Sequence, residues 1–528
     1  MGKITKYLNQ LIVGNVFDDP EILDNYSVDR SVLAIKPKFV AFPESTEDIR
    51  KLMRFFNQIA AKEIPISATV RGSGLDEGGA DLSSGLVISM EKLNKMLEID
   101  PRERLVRVQA GITLKELNTA LSVSGLNIPI DGHENETIGG LIANAPVDNN
   151  AEKYGGIGNF VERIEAVLAN GECLQTSRIK SYYVAKKATE KSLEGDIYRK
   201  LSKLLKSKSE VIKSIGENKY DKSGYPNITK ISYKDSIDLA PLFLGSQGTL
   251  GIISEVILRA IPAKTKPSRI VATFKEIAPA IEFAQKVKEL KPRKIDFYDL
   301  KIIEEARESG KNLDGVLRKL EDGFVILASF DEKVNSCFKK ITSLKEEFPR
   351  STKFIFETPE NRTEINEFEN SLDVYLSPSK NGERAPILTD FYLPTHSMPN
   401  FLNDLKVLEE KLDLELSVFG SCSNSIYSIR PKLNPEEENY NKKVATFLRA
   451  GAYIINRQGG KLAGGTPEGR LKAAITNNEM RDADKELYTE IKNIFDQNNI
   501  LNPDIKLGAS SKFTLTHFRT TGLPKIML

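Results

Sequence analysis

Three glycine clusters, each set among short apolar runs, constrain this chain more than any other feature. The first is Arg71-Gly72-Ser73-Gly74-Leu75-Asp76-Glu77-Gly78-Gly79. The second is Thr137-Ile138-Gly139-Gly140, followed by Ala143-Asn144 and Lys153-Tyr154-Gly155-Gly156. The third is Gly245-Ser246-Gln247-Gly248-Thr249-Leu250-Gly251. Glycine lets a backbone turn sharply and come close to a ligand, so successive N–H groups can form an anion-holding nest. A Rossmann dinucleotide site must run from its glycine turn into a helix that holds the diphosphate. Here the first cluster runs into Ser83-Ser84-Gly85 and then a strand at Leu86–Met90, so a loop-built phosphate cradle is expected instead. One such cluster could be a surface turn. Three in series point to one shared ligand.

The runs between the clusters read as alternating strands and helices. Lys38–Phe42 is a strand, and Ser45 with Glu47 and Asp48 opens an amphipathic helix through Ile59. Ile64-Pro65-Ile66 leads into the first cluster, Leu105–Gln109 alternates as a strand, and Thr113 caps a helix carrying Leu117 and Leu121. Residues 164–174 are two strands around Asn170-Gly171, a strong hairpin signal. Residues 178–238 turn Lys- and Ser-rich with helical periodicity and read as an insertion, after which the strand pattern resumes at PLFLGSQGTLGIISEVILRAIP. From about 266 the runs RIVATF, KIDFY, FVILASF, KFIFET, ILTDFYL and ELSVFG alternate with charged amphipathic helices. That pattern predicts an antiparallel sheet with helices on one face.

The fold class expected is therefore α+β, in three parts: residues 1–265, carrying the glycine clusters and the insertion at about 178–238; an α+β domain over 266–458; and a C-terminal segment, 459–528, returning to the first part and ending in a tail, 509–528. Lys and Arg number 75 against 73 Asp and Glu, which gives no field to attract nucleic acid. Cys173, Cys337 and Cys422 lie far apart, which fits a reducing compartment and no disulfide framework or cysteine metal cage. No run approaches the ~18 apolar residues of a membrane span. A cytoplasmic protein is expected, with peripheral membrane association left open.

As a set, KPKFVAFPESTEDI, RGSG, VQAGITLKELNTAL, TIGGLIAN, EAVLANGE, GSQGTLGIISEVILRAIP and FDQNNILNPDIKLG resemble FAD-binding oxidoreductases of the vanillyl-alcohol oxidase/p-cresol methylhydroxylase type. The D-lactate dehydrogenase and glycolate oxidase subunit branch is the most similar. The resemblance implies a two-subdomain FAD-binding domain with a substrate-binding cap domain. It also implies cofactor contacts at Arg71, Gly72, Ser73, Gly74, Leu75, Asp76, Thr137, Ile138, Gly139, Gly140, Asn144, Gly248, Thr249 and Ile252. Two departures stand out: the first loop is one residue shorter than the family's, and Gln247 stands where the family has Glu. Covalent attachment in such proteins commonly uses a histidine in or near the first loop. None lies there, so FAD is expected to bind non-covalently, with His133 the one alternative anchor.

The metal-binding histidines of that branch are missing. Its first histidine motif is replaced by Phe419-Gly420-Ser421-Cys422-Ser423-Asn424-Ser425-Ile426-Tyr427, and its second by Ala463-Gly464-Gly465-Thr466-Pro467-Glu468-Gly469-Arg470. Of three histidines, His396 and His517 lie outside both, so no metal is expected. Oxidation of an alcohol still needs a proton acceptor. Tyr427 and Tyr392 are the candidates, with Arg470 as a bidentate clamp for an anionic substrate. The expected function is hydride transfer from a small organic alcohol or hydroxy acid to FAD, with the electron acceptor unspecified. The alternatives are a true D-lactate or glycolate dehydrogenase and a flavin-binding protein with a non-catalytic cap.

Overall fold

The computed structural model describes residues 2–62, 67–263, 267–308, 310, 313, 323–331, 334–349, 351–376 and 383–520. The expected Ile64-Pro65-Ile66 run and the last eight residues of the tail lie outside that set. Two sheets build the first part. In the smaller, the strands run in the order Asn15–Phe17, Phe39–Phe42, Leu86–Ser89, Ala68–Arg71, the last three parallel. Leu86, Val87 and Ile88 are buried on both faces, as parallel strands require. Helix Thr46–Ala60 starts where Ser45 accepts from Asp48 N, and it buries Ile49, Leu52, Met53 and Phe56. That i, i+3, i+4, i+7 spacing is one helical face.

The larger sheet is antiparallel and runs Met96–Asp100, Leu105–Gln109, Ile252–Arg259, Val161–Val167, Cys173–Gln175. The strand that follows the third glycine cluster thus sits at its centre. Gly171 turns the expected hairpin at φ +80°. Helix Leu114–Ser122 begins with a reciprocal capping box between Thr113 and Glu116 and buries Leu117 and Leu121. The insertion is helical at Ser181–Lys187, Leu193–Ser207 and Ser209–Glu217, and adds a small three-stranded ladder that its sequence did not announce.

Beyond residue 267 the described strands form one antiparallel sheet of eight. Its central order is Ser268–Phe274, Phe324–Phe330, Lys294–Asp299, Leu416–Ser421, Ile426–Leu433, and Leu388–Tyr392 also pairs with the last of these. Helices cover both faces, not one. Ile270, Ala272 and Phe274 pack with helix Ile277–Lys288, while Val271, Val325 and Leu327 pack with Leu300, Ile303, Ile365 and Phe368 on the other side. The physical reason is legible in RIVATF: a strand with no polar alternation has no face to give to water.

The chain then returns to its first half. Ala68 N donates to Ile500 O and Asn502 N to Ala68 O, both at 2.8 Å. Helix Asp482–Phe495 buries Leu487, Tyr488, Ile491 and Phe495 in the core of the first part. The tail docks as well: Ala34 N donates to His517 O, and the buried Arg519 pairs with Glu383.

Candidate functional site

The three glycine clusters meet. Asp76 organises the first loop by accepting from Gly78 N at 2.9 Å and Ala80 N at 2.7 Å. Its other oxygen accepts from Asn144 Nδ2 at 3.1 Å, and Asn144 stands at the C-terminal end of helix Ile138–Asn144. Asn144 Oδ1 in turn accepts from Gln247 Nε2 at 3.2 Å, and Gln247 Oε1 accepts from Gly469 N at 3.2 Å. One relay of side-chain amides therefore ties together the first, second and third clusters and the returning C-terminal segment. Gly72 lies so close to Thr137, the N-cap of that helix, that a Cβ would sit 2.3 Å from Thr137 Oγ1.

These loops form one wall of a cavity of about 1280 Å³, and the second sheet-bearing half forms the other. Gly72, Ser73, Leu75, Asp76, Thr137, Gly140 and Asn144 line it. A narrow recess opens behind them at Gly139 and Gly248. Gly248, at φ +72°, has open space where a side chain would be.

Residues 37–177 match the family model for an FAD binding domain, and residues 268–505 match that for the C-terminal domain of FAD linked oxidases. The chain belongs to the FAD-linked oxidoreductases. Among relatives of this family, a D-lactate dehydrogenase of Anaerostipes hadrus is 24% identical over 92% of this chain and 92% of its own. The glycolate oxidase subunit GlcD of Bacillus subtilis is 24% identical over 88% of each chain. Among solved structures, 4-ethylphenol oxidase from Gulosibacter chungangensis superposes with a TM-score of 0.68 at 13% identity, covering 94% of this chain and 95% of that one. p-Cresol methylhydroxylase gives 0.67 at 12%, covering 95% of each. The enzyme is thus an FAD-dependent oxidoreductase.

The walls fit that cofactor. Main-chain donors at side-chain-free turns suit a diphosphate, and the volume exceeds what a drug-sized ligand needs. Of the other residues expected to touch FAD, Ile138 and Ile252 are buried in the core behind the cradle. Thr249 holds the loop from beneath, its hydroxyl bonded to Tyr225 Oη at 2.8 Å and Ser246 O at 2.6 Å. Arg71 turns away, donating to Val28 O at 2.7 Å and lying over the Tyr26 ring, and Gly74, at φ +73°, packs under its guanidinium. His133 lines the cavity, its Nδ1 accepting from Asn135 N at 3.2 Å.

The three residues expected to work on substrate are not among those lining the cavity. Tyr427 is fully buried in the core of the second half, its hydroxyl bonded to Thr395 at 3.1 Å and set against Cys422 Sγ at 3.5 Å. Tyr392 stacks on Tyr220 of the insertion, with centroids 3.9 Å apart. Arg470 spends its guanidinium on Leu82 O, Pro503 O and Asn502 Oδ1. It staples the C-terminal segment to the first loop's far end, with all three nitrogens engaged by the chain itself and none lining the cavity.

Other charged residues line the cavity that the sequence reading did not single out. Arg430 and Ser428 project from strand Ile426–Leu433, Asp390 from strand Leu388–Tyr392, and Lys472 from helix Gly469–Glu479. Arg430 donates to Glu77 at 2.5 Å, while its buried Nε has no partner among the described residues. Lys472 Nζ is held by Thr389 O at 3.2 Å and Leu462 O at 3.4 Å. Across the cavity stands Glu136, just before the Thr137 cap. Burial, with the nearby charges of Asp390, Glu77 and Asp76, pushes its carboxyl up to about 7. Burial and Glu77 likewise raise Asp390 against the pull of Lys472 and Arg430. Burial lowers Lys472 despite the carboxylates around it. The available signal was a charge inside an apolar run, as in ILTDFYL and IYSIRPKL. Among the described residues, no group of three or more His, Cys, Asp or Glu is arranged to hold a metal ion.

Proposed function

We propose that this enzyme oxidises a small hydroxy acid, using its own side chains where relatives of the branch use a metal. The relatives named above and a D-2-hydroxyglutarate dehydrogenase of Pantoea ananatis, 23% identical over 90% of this chain and 48% of its own, all carry names of 2-hydroxy-acid enzymes. The observation that carries the reading is the meeting of Arg430 and Lys472 with Glu136 and Asp390 in the cavity that the glycine loops line. Bound non-covalently in those loops, FAD supplies a two-electron acceptor.

The side chains then divide the remaining work. The guanidinium of Arg430 and the ammonium of Lys472 are cations in a buried wall, where a substrate carboxylate gains most from them. Ser428 Oγ lies among them as a further polar group. Loss of hydrogen from an alcohol carbon requires removal of the hydroxyl proton, and a carboxyl titrating near neutral pH is well matched to that task. Glu136 fills this role, and the charge of Asp390 keeps its proton affinity high. Tyr427 and Tyr392 contribute packing.

The test is an anaerobic titration of the purified yellow protein with D-2-hydroxy acids, with and without EDTA. Bleaching of the flavin band that survives EDTA and is lost in Glu136→Gln supports the proposal. Bleaching abolished by EDTA would overturn the metal-free chemistry. Bleaching by dithionite but by no hydroxy acid would overturn the substrate class.

A further inference from the structure

The insertion that anchors the cofactor loops from behind presents a second, outward surface of different chemistry. Over residues 178–238, fifteen Lys and Arg stand against eight Asp and Glu, while the whole chain is nearly balanced at 75 against 73. One corner carries Arg178, Lys180, Lys186, Lys191 and Lys234 against the exposed acids Glu190 and Asp235, a net excess of positive charge. The strand Ile179–Lys180 pairs with Ser236–Ile237, and Ser181 N donates to Asp235 O at 2.7 Å. The hairpin tip carrying Tyr233 and Lys234 therefore lies beside the start of helix Ser181–Lys187. Val184 points that helix inward, while Tyr182, Tyr183 and Lys186 face solvent. Tyr182 and Tyr183 are 76% and 56% exposed, with rings edge to face 5.4 Å apart. Arg178 stacks over the exposed Tyr233 ring at 3.6 Å. Arg178, Lys180, Lys186, Lys191 and Lys234 form no ion pair with any described residue.

Unpaired cations around solvent-facing tyrosines are the composition of a protein surface that meets anionic headgroups. The charges give long-range attraction, and the amphipathic rings settle at the polar–apolar boundary. The patch is built on a helix and a hairpin tip. Among the described residues no helix is long and apolar enough to cross a membrane, so any such attachment is superficial. We infer that this corner docks the enzyme on a bilayer bearing anionic lipid. Meanwhile Tyr225, from the same insertion, holds Thr249 beneath the third glycine cluster, so the docked element is also the one that braces the cofactor loops.

The experiment is co-sedimentation of the FAD-loaded full chain with phosphatidylcholine vesicles, with or without 30% phosphatidylglycerol, at low and high salt. Flavin absorbance reports integrity in every arm. Binding to anionic vesicles alone, released by salt, is expected. Each lysine near such a surface contributes roughly fivefold in partitioning. The triple variant Lys180→Glu, Lys186→Glu, Lys234→Glu should thus lose on the order of a hundredfold, whereas reversing the exposed Lys406, Lys411 and Lys442 should not. Tyr182→Ser with Tyr183→Ser should weaken binding and make the remainder more salt-sensitive. Equal binding to neutral vesicles, no binding to either, or equal loss in both triple variants would overturn the inference. So would salt-sensitive retention on an acidic protein column by a chain that ignores anionic vesicles. None of these outcomes bears on the cavity chemistry, which the titration above tests separately.

Discussion

Replacing Gln247 with glutamate changes one group and almost no volume, and it tests whether the amide relay holds the cofactor cradle together. Gln247 is buried; its Nε2 donates to Asn144 Oδ1 and its Oε1 accepts from Gly469 N, each at 3.2 Å. An ionised carboxylate keeps the second bond and turns the first into two facing acceptors. Asn144 cannot compensate by rotating its amide, because Nδ2 would then leave Asp76 Oδ2, 3.1 Å away. One hydrogen bond is lost in either arrangement, and an unsatisfied buried group costs ~1–3 kcal/mol. In the apoprotein the loops can relax, so the cost falls on the complex, and ~2 kcal/mol corresponds to roughly 30-fold in Kd for FAD. Protonation restores the donor. Burial favours the neutral acid, so the defect should shrink as pH falls from 8 to 6. The assay is quenching of FAD fluorescence on titration with apoprotein at both pH values, referenced to the parent chain. Equal affinity of the two proteins at pH 8, or an equal defect at both pH values, would refute the relay.

Other measurements probe separate features. Glu468 and Lys506 form a fully buried pair at 2.8 Å; Lys506→Met strands the carboxylate and should destabilise the fold by ~3–5 kcal/mol, read by urea unfolding. Arg519→Ala takes the buried cation from Glu383, which keeps the Tyr440 hydroxyl at 3.5 Å, and frees the tail, so a cost toward the lower end of that scale is expected. A loss below ~1 kcal/mol would mean the tail is not a working strap. Burial, with the charge of Asp76, raises Asp29 to about 7. Its folded value lies above its unfolded one, so the folded state holds the extra proton and stability drains away as pH rises from about 4 through about 7. Asp29→Asn should therefore raise Tm at pH 8 and flatten its slope between pH 5 and 8; an unchanged slope would assign that dependence elsewhere. Finally, acid precipitation should leave all the flavin in the supernatant, whereas a yellow pellet would point to a bond at His133, which lines the cavity.

How much of this was legible beforehand depended on whether the signal was local. Ser45 and Thr113 announce helices because a cap acts within its own turn, and both cap as read. The hairpin at Asn170-Gly171 follows from φ alone. Strand order is not local: nothing near Ile252–Arg259 says that it will lie between Leu105–Gln109 and Val161–Val167. The two-sided burial of RIVATF was readable in principle from its unbroken apolar run, but amphipathic helices in the same region suggested a sheet with one covered face.

The site shows the same division more sharply. Glycines report themselves, because few other residues tolerate their conformations, and every cluster named from sequence borders the cavity or its recess. Tyr427 stands at a histidine position of the family motif, Tyr392 on the strand expected to face the flavin and Arg470 at a motif arginine, and position in a motif does not fix where a side chain points once its partners have changed. With no histidine at Tyr427, the hydroxyl finds Thr395 and Cys422 inside the core. Arg470 keeps its place but serves three oxygens of the chain itself. Among the charges that do line the cavity, Glu136, Asp390, Arg430 and Lys472 are spread over more than 330 residues of sequence. Each costs desolvation that is offset in part by neighbours such as Glu77 and the carbonyls on Lys472, and further by one another and a bound ligand. Four charges facing one cavity, Arg430 and Lys472 buried and Glu136 and Asp390 half-buried, call for something polar to enter it. That requirement, more than any single motif, argues that the second half of the chain is a working substrate wall and not an inert cap.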